Sequence, residues 1–369
     1  MKKITGLFLV LFMLSSSIVF ASGTAQDTRG VFRADVFWYT FADTFLASVR
    51  NAMIEQERGI TNMRVTHHDC AENQALQLQM IQTAITQGTN LLIVNIVTTG
   101  SEDTAMNIVS LARNANIPII FFNREVSDAV IRSYPNAAFV GTDADEAGYM
   151  QGEAIANFLL RPENWTGNRS NYDLNGDGII RYIMLRGEHG NAEAFGRTLY
   201  YVQEANRLLS GRLNLQPSVA NETSTQYAND GISNYFLYAN WSAATASNLM
   251  RTALTAHSLT SGAIELIVAN NDDAAIGAIE AMREQGFNTG TAGSQHIPVF
   301  GVDATAVAVE NIRANRMTGT VLQDGAAMAR VVLELAQNVA NGRQVFANTA
   351  QYNVDPGVNK IRVPYAIVE

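Results

Sequence analysis

The sequence predicts an α/β protein made of two doubly wound parallel-sheet lobes joined by three crossing strands. From about residue 31, short β-rich runs alternate with helical patterns, which is typical of βαβ units. Several of the strand runs are apolar throughout, as in sheets that are covered by helices on both faces. The chain has 369 residues, which suits two hydrophobic cores better than one. No Pro/Gly-rich linker divides it, so we expect several strands to cross between the lobes.

The elements follow one another in a regular order. Strands are predicted where β-branched and aromatic residues cluster, at 35–39, 63–66, 91–94, 118–122 and 137–140. Helices are predicted where apolar residues recur every three or four positions, at 45–54, 75–87, 102–115 and 145–160. Further strands are predicted at 179–185, 264–269, 297–302 and 319–322. The polar, aperiodic stretch 221–234 is predicted to be a surface loop.

The N-terminus has the features of a secretory signal peptide over residues 1–21. Lys2 and Lys3 precede an apolar run, and Ala21 ends a small-x-small cleavage site. The alternative, a transmembrane anchor, needs about 18 or more apolar residues, and this run is shorter and contains serines. No cysteine lies near the cleavage site, so lipid attachment there is excluded. Cys70 is the only cysteine, so no intramolecular disulfide forms. We therefore expect an exported protein.

The charge balance excludes nucleic acid as a partner. Asp and Glu number 34 against 25 Lys and Arg, giving a formal net charge of −9, and no basic block interrupts this acidity.

Polar residues follow the predicted strands at equivalent positions, where the carboxyl ends of parallel strands collect ligands. They are Asp43, Asn95, Asn270 to Asp272, Asp303, and Gln323 with Asp324. Any one of them alone is explained equally well as a helix cap. Together they predict a cleft for hydroxyl groups, because carboxylates accept hydrogen bonds and amides both accept and donate them. Phe45 follows Asp43 by two residues, and Trp241 opens a helical segment. Each is either a stacking ring for an apolar sugar face or an ordinary core residue.

Residues 173–181 match the opening of an EF-hand calcium loop. Oxygen ligands stand at loop positions 1, 3 and 5 (Asp173, Asn175 and Asp177), a turn glycine follows, and the Ile179 carbonyl is at position 7. The bidentate glutamate of position 12 is missing, and position 9 is Arg181, a cation that cannot bind metal. A metal-free turn rich in Asp and Asn is the alternative.

With these residues in view, the chain resembles the family of periplasmic galactose/glucose-binding proteins, the ABC-transport and chemotaxis receptors for hexoses. The resemblance covers nearly all of the chain beyond the signal peptide. Its markers are residues 42–45, 121–125, 139–143, 173–178, 268–272, 299–304 and 362–365. The calcium loop is the most discriminating marker, because most sugar-binding relatives of this fold lack it. The resemblance implies the type I periplasmic binding protein fold.

The resemblance also implies a set of site residues. The family's sugar ligands fall on Asp43, Asn95, Arg197, Asn271 and Asp303, and its stacking rings fall on Phe45 and Trp241. Three further positions depart from the family pattern, Asn191 replacing His, Glu193 replacing Asp, and Gln323 replacing Asn. The family's distant calcium carboxylate falls on Glu265, so the implied calcium ligands are Asp173, Asn175, Asp177, Ile179 and Glu265. Arg181 stands where the family has an amide ligand. The 221–234 stretch reads as an insertion.

We therefore predict an exported hexose-binding receptor that closes on a monosaccharide and delivers it to the membrane subunits of an ABC permease. The first lobe is expected at 28–122 plus 325–354, and the second at 123–324 plus 355–369. Calcium is the expected structural cofactor, with a loop filled by Arg181 as the alternative. A chemotaxis sensor acting through a chemoreceptor, without a transport role, is a second reading. A hydrolase using Asp43 and Asp303 as a carboxylate pair is a third, but nothing signals the acid it needs, so we predict no enzyme.

Overall fold

A computed structural model of the protein describes residues 30–221 and 236–369. The predicted signal peptide, residues 1–21, lies outside this range, and so does nearly all of the predicted 221–234 loop. Residues Phe32–Glu369 form one compact unit that contains both predicted lobes.

The first sheet has seven strands. In chain order they are β1 (Phe32–Trp38), β2 (Met63–Asp69), β3 (Leu91–Val94), β4 (Ile119–Phe122), β5 (Ala137–Gly141), β14 (Asn353–Val354) and β15 (Lys360–Arg362). In space their order is β14-β15-β5-β4-β3-β1-β2. All pairs are parallel except the edge pair β14–β15. Its helices are α1 (Thr44–Glu57), α2 (Gln74–Thr86), α3 (Glu102–Asn114), α4 (Asp128–Arg132) and α10 (Gly325–Ala340).

The second sheet also has seven strands. They are β8 (Ile179–Arg186), β9 (Asn214–Pro217), β10 (Leu237–Tyr238), β11 (Leu266–Ala269), β12 (Val299–Asp303), β13 (Gly319–Gln323) and β16 (Tyr365–Val368). The spatial order is β10-β8-β11-β12-β13-β16, and β9 also pairs with β8. Only β13–β16 is antiparallel. Its helices are α5 (Ala144–Leu160), α6 (Ala192–Leu209), α7 (Ala243–Ala256), α8 (Asp272–Arg283) and α9 (Ala306–Arg313). A 3-10 turn (Pro162–Asn164) and a hairpin of β6 (Trp165–Thr166) and β7 (Arg169–Ser170) precede β8.

Each sheet is buried on both faces, as the apolar strand runs predicted. In the first lobe, Val36 and Trp38 of β1 pack in one apolar cluster, and Phe37 packs in another on the opposite face. The second lobe likewise has two large clusters, one with residues of α7 and α8 and one with residues of α5 and α6. Side chains alternate between faces along a strand, so this division confirms the doubly wound α/β prediction.

Every α-helix of the described chain begins at a side chain that accepts a hydrogen bond from a backbone N–H of the first turn. The capping residues are Asp43, Asn73, Ser101, Ser127, Asp143, Asn191, Ser242, Asn271, Thr305 and Asp324. Such caps satisfy backbone donors that the helix itself leaves unpaired.

The chain crosses between the sheets three times within the described residues, but two crossings are displaced from the predicted boundaries. Strand β5 belongs to the first sheet, because Ala137–Gly141 pairs with β4, so the first crossing follows residue 141 rather than 122. Strand β15 pairs with β5, so the last crossing follows residue 362 rather than 354. The middle crossing, between β13 and α10, lies at the predicted place. The chain adds one more buried strand, β5, to the first sheet after Phe122.

The single cysteine is enclosed within the first lobe. Cys70 is fully buried, and the Gln77 amide points at its sulfur from 3.6 Å. Burial raises the pKa of this thiol to about 11. Among the described helices, none combines the length and apolar character that crossing a membrane would require.

Candidate functional site

A cavity lies between the lobes, at the carboxyl ends of the strands of both sheets. It is lined by nine of the ten predicted sugar-site residues, Asp43, Phe45, Asn191, Glu193, Arg197, Trp241, Asn271, Asp303 and Gln323. Tyr39, Leu46, Asn123 and Arg124 complete the wall. The strand-end argument accounts for Asp43, Asn271, Asp303 and Gln323, whereas Asn191, Glu193 and Arg197 were implied by the family resemblance.

Asp43 caps a helix and also lines the cavity. One carboxylate oxygen accepts from the Leu46 amide at 2.7 Å, and the other accepts from the Tyr39 hydroxyl at 3.1 Å. Asn191 and Asn271 likewise cap α6 and α8 through their side-chain oxygens. The capping and binding interpretations are therefore compatible, because a cap uses one acceptor and leaves the rest of the group facing the cavity.

Asn95 is the one predicted sugar-site residue that does not line the cavity. It is fully buried, and its oxygen accepts from the Tyr39 backbone amide at 3.2 Å. Its side-chain nitrogen donates to the Phe122 carbonyl at 3.1 Å and to the Asn123 side chain at 3.2 Å. Its side chain therefore links the ends of three neighbouring segments and has no group directed at a ligand.

Arg197 is the central cation of the second lobe. Its guanidinium donates to the Asn270 carbonyl at 2.8 Å, and to the Gln323 oxygen and the Tyr365 hydroxyl at 3.0 Å each. Asp303 lies 3.6 Å from it. Burial raises the pKa of Asp303 well above its usual range, against the opposing effect of Arg197. Gln323 is held at both ends, since its amide nitrogen donates to Thr142 at 3.3 Å.

Glu193 is fully enclosed, and neither of its carboxylate oxygens has a hydrogen-bond partner among the described residues. Burial raises the pKa of this carboxyl, and the positive charge of Arg197 only partly offsets the effect. An unpaired buried carboxylate is costly unless a ligand supplies the missing donors.

Trp241 forms the wall opposite the first lobe through an unusual backbone conformation. Its φ is +66°, in the left-handed region that large side chains rarely adopt. The ring lies against Gly187, where a Cβ atom would stand only 2.4 Å from two ring carbons. The Asn271 amide donates to the Trp241 carbonyl at 3.0 Å, and the indole N–H is buried without a described partner. Such strain is typical of functional positions.

Three lining residues, Tyr39, Asn123 and Arg124, were missed as ligand candidates. Tyr39 follows β1, and Asn123 and Arg124 follow β4 directly. The signal was present, because these positions obey the same carboxyl-end rule as Asp43 and Asn271. Asn123 and Arg124 are markers of the family resemblance, and the strand-end rule was not applied to them as ligand candidates.

The predicted calcium loop lies at the start of β8, and its carboxylates are already paired. The two oxygens of Asp173 accept from the backbone amides of Gly176, Asp177 and Gly178 at 2.8–3.2 Å. The two oxygens of Glu265, whose side chain is fully buried, accept from the amides of Leu174 at 2.8 Å and Arg181 at 2.9 Å.

The Arg181 side chain turns towards this loop. Its guanidinium contacts both oxygens of Asp177, at 2.6 and 3.3 Å, and approaches Glu265 to 3.8 Å. This pairing lowers the pKa of Asp177. Among the described residues, no group of three or more His, Cys, Asp or Glu side chains is arranged to hold a metal ion. The residues as arranged do not fit a calcium ion beside this guanidinium, because the two cations repel at such distances. Calcium remains a prediction, and the contacts favour the alternative, a loop filled by the Arg181 side chain.

Comparison with known proteins gives matches along nearly the whole chain. Residues 34–344 match the periplasmic binding protein domain family. The chain is 29% identical to the D-galactose/methyl-galactoside binding periplasmic protein MglB of Haemophilus influenzae, over 100% of this chain and 97% of that protein. It is 24% identical to a putative rhizopine-binding protein of Rhizobium meliloti, over 90% of each.

Solved structures share the fold. An ABC transporter solute binding protein of Bacillus halodurans with bound myo-inositol matches with a TM-score of 0.66 and 22% identity, over 92% of this chain and 94% of that one. A periplasmic solute binding protein of Actinobacillus succinogenes with bound D-allose matches with a TM-score of 0.67 and 18% identity, over 92% and 97%. The two-lobe fold prediction is confirmed, and so is the prediction of a binding protein rather than an enzyme.

Proposed function

Because the chain belongs to the periplasmic binding protein domain family, we propose that it is a receptor that binds a hexose of the glucose or galactose type between its lobes and delivers it to an ABC permease. Binding of a sugar for ABC transport is the coarser function that its relatives share. The proposal adds that the sugar is a hexose and that its stereochemistry is that of glucose or galactose.

The unpaired polar groups around the cavity carry this proposal. Glu193 has two free acceptors, and Trp241 and Arg124 each have an N–H without a described partner. Asp43 and Asp303 add further acceptors on opposite lobes. A monosaccharide carries hydroxyls that donate and accept in every direction, so it satisfies such a mixed set better than an amino acid or an anion does.

The aromatic residues support a ring-shaped ligand. Phe45 and Trp241 both line the cavity, and they come from different lobes. The C–H faces of a pyranose would pack between these rings while its hydroxyls meet the polar groups at the edge. Because each lobe supplies only part of the contacts, sugar binding favours the closed form over an open one.

The relatives support a sugar but differ in which one. The proteins similar to this chain include galactose-binding, ribose-binding and xylose-binding members. We favour a hexose because the relative whose match spans the whole of this chain is named for galactose and methyl-galactoside. Periplasmic location accords with the names of these relatives. Signalling through a chemoreceptor is a possible additional use of the closed form.

Titration calorimetry with a panel of monosaccharides tests the proposal. The mature protein is titrated with D-glucose, D-galactose, D-allose, D-ribose, D-xylose and myo-inositol, with L-glutamine as a control of another class. We expect tight binding of glucose or galactose, weaker binding of the pentoses, and none of glutamine. Preference for ribose or myo-inositol would overturn the hexose assignment, and binding of glutamine alone would overturn the sugar assignment.

A further inference from the structure

Arg124 and Glu188 form an ion pair that joins the two lobes beside the cavity. Arg124 follows β4 of the first sheet, and Glu188 follows β8 of the second. The Arg124 side chain is 6% exposed and the Glu188 side chain 26%, so the guanidinium is buried while the carboxylate is partly open to water. Arg124 also donates to the Val97 carbonyl at 3.0 Å, and its guanidinium stacks 4.2 Å from the Tyr39 ring centre.

The surrounding contacts also run between the lobes. Glu188 accepts a hydrogen bond from the Thr99 hydroxyl at 3.1 Å. Next to it, Gly100 meets Gly190 so closely that a Cβ on Gly100 would lie 2.8 Å from the Gly190 carbonyl oxygen. Elsewhere along the cleft, the Thr44 hydroxyl donates to Asp273 at 2.7 Å. The Arg124–Glu188 pair is the only ion pair among these interlobe contacts.

Glu188 and Arg124 differ in their relation to the cavity. Arg124 lines it, and its Nε–H is buried without a described partner. Glu188 does not line it. Whatever Glu188 contributes to ligand binding must therefore pass through Arg124 or through the fit of the lobes.

We propose that Glu188 is a positioning residue for ligand binding, which draws Arg124 into the cavity wall and holds the two lobes closed. The proposal deepens the proposed function, since it concerns how the same sugar cleft closes. A charged hydrogen bond that exists only in the closed form adds its free energy to closure, and closure is linked to ligand affinity. Because Glu188 does not line the cavity, its effect is expected to be the same for every ligand the cleft accepts.

The test compares Glu188→Gln with wild type in two measurements. Titration calorimetry with the sugar panel is expected to show affinities lowered about ten- to a hundredfold for all sugars that bind, with their ranking unchanged. Small-angle X-ray scattering of the ligand-free variant is expected to show a larger radius of gyration than wild type. Glu284→Gln is the matched control, because it removes an exposed pair with Arg251 on the outer surface and is expected to change neither quantity.

The outcomes separate this proposal from the proposed function. Affinities within about twofold of wild type would overturn the positioning role. A changed ranking of sugars would overturn it too, because Glu188 would then contact the ligand itself. If wild type binds no sugar in the panel, the proposed function fails, and scattering alone decides the role of Glu188. In that case, a radius of gyration of Glu188→Gln equal to that of wild type would overturn the positioning role of Glu188.

Discussion

The sugar cleft and the loop at residues 173–181 both combine carboxylates with an arginine, but they satisfy these groups differently. In the cleft, Glu193 keeps two acceptors free, and nearby donors of Trp241 and Arg124 are unpaired within the described residues. In the loop, both oxygens of Asp173 and of Glu265 accept backbone N–H groups, and Arg181 contacts both oxygens of Asp177. Unpaired buried polar groups cost free energy, so a fold retains them where a partner arrives from outside. By this criterion the contacts favour a ligand in the cleft, and in the loop they favour the Arg181-filled alternative to calcium.

Arg197 in the cleft and Arg181 in the loop differ in the same way. Arg197 lies wholly inside the cleft and holds Asn270, Gln323 and Tyr365 in place while Asp303 stays 3.6 Å away. Arg181 lies at the surface of the loop, 24% exposed, and pairs with Asp177. Removing Arg197 disturbs an entire buried network, whereas removing Arg181 opens a position for a different cation.

The largest expected effect comes from Arg197→Met in the cleft. The substitution leaves Asp303 buried without its cation and removes three hydrogen bonds, a change typically worth about 3–5 kcal/mol. We expect loss of sugar affinity of about a hundredfold or more, measured by titration calorimetry after circular dichroism has confirmed folding. Arg207→Met on the same helix is the control, because that arginine pairs only at the surface with Glu204. A folded Arg197→Met protein with wild-type affinity would contradict a ligand role for the cleft.

Asp43 gives the next largest effect. Asp43→Ala removes a charged acceptor from the cavity, which should weaken sugar binding by about 1.5–3 kcal/mol. It also removes the cap of α1, which should lower the free energy of unfolding by about 1 kcal/mol. Asp43→Asn separates the two effects, since it retains the cap but not the charge. Unchanged affinity in both variants, measured by calorimetry, would show that this residue only caps its helix.

The loop is tested with calcium and chelator in thermal unfolding. The wild-type curve is expected to be identical in calcium and in EDTA, because Arg181 already satisfies Asp177. In Arg181→Gln, calcium is expected to raise the stability, by about 2.7 kcal/mol when its concentration is a hundred times the dissociation constant. A calcium-dependent shift in the wild type would support the calcium prediction and remove the contrast between the two regions.

The smallest effect concerns the pH dependence of stability in the ligand-free protein. The folded pKa of Glu193 is raised above its ordinary 4.5, so the folded state holds this proton more firmly than the unfolded chain. The resulting stabilisation is present below about 4.5 and is lost as pH rises through the raised pKa, by at most about 1.4 kcal/mol per pH unit. Unfolding of wild type and Glu193→Gln over this window measures the difference. Parallel pH profiles would mean that Glu193 is not the unpaired acid described for the cleft.

The sequence predicted the fold and part of the cavity lining for a physical reason that also explains its errors, and the family resemblance supplied other lining residues such as Arg197. Residues such as Asp303 and Asn271 end apolar strands, and the ends of parallel strands meet at one edge, so their assembly followed from the chain alone. Asn95 obeys the same rule, yet its amide is consumed by Tyr39 and Phe122, which belong to segments distant in sequence. Position along a strand can be derived from periodicity, but competition for hydrogen bonds depends on neighbours that only the folded chain supplies.

The orientation of the Arg181 side chain is a second feature that the sequence alone did not decide. The sequence raised two alternatives for its side chain, outward to make room for calcium or inward as a substitute for it. Rotamers of a long side chain are not encoded by spacing, and only the contacts with Asp177 and Glu265 distinguish them. The lobe boundaries erred for a related reason, since periodicity predicts β5 as a strand but does not show which sheet it joins.

The enclosure of Cys70 makes the protein a convenient scaffold for a reagentless optical sensor. The thiolate is the species that reacts with maleimides and iodoacetamides. The Cys70 thiol is buried, and its pKa is raised to about 11. A cysteine introduced at the rim of the cleft would therefore be the single labelling site, with no background from the native residue. An environment-sensitive dye attached there would convert lobe closure into a change of emission.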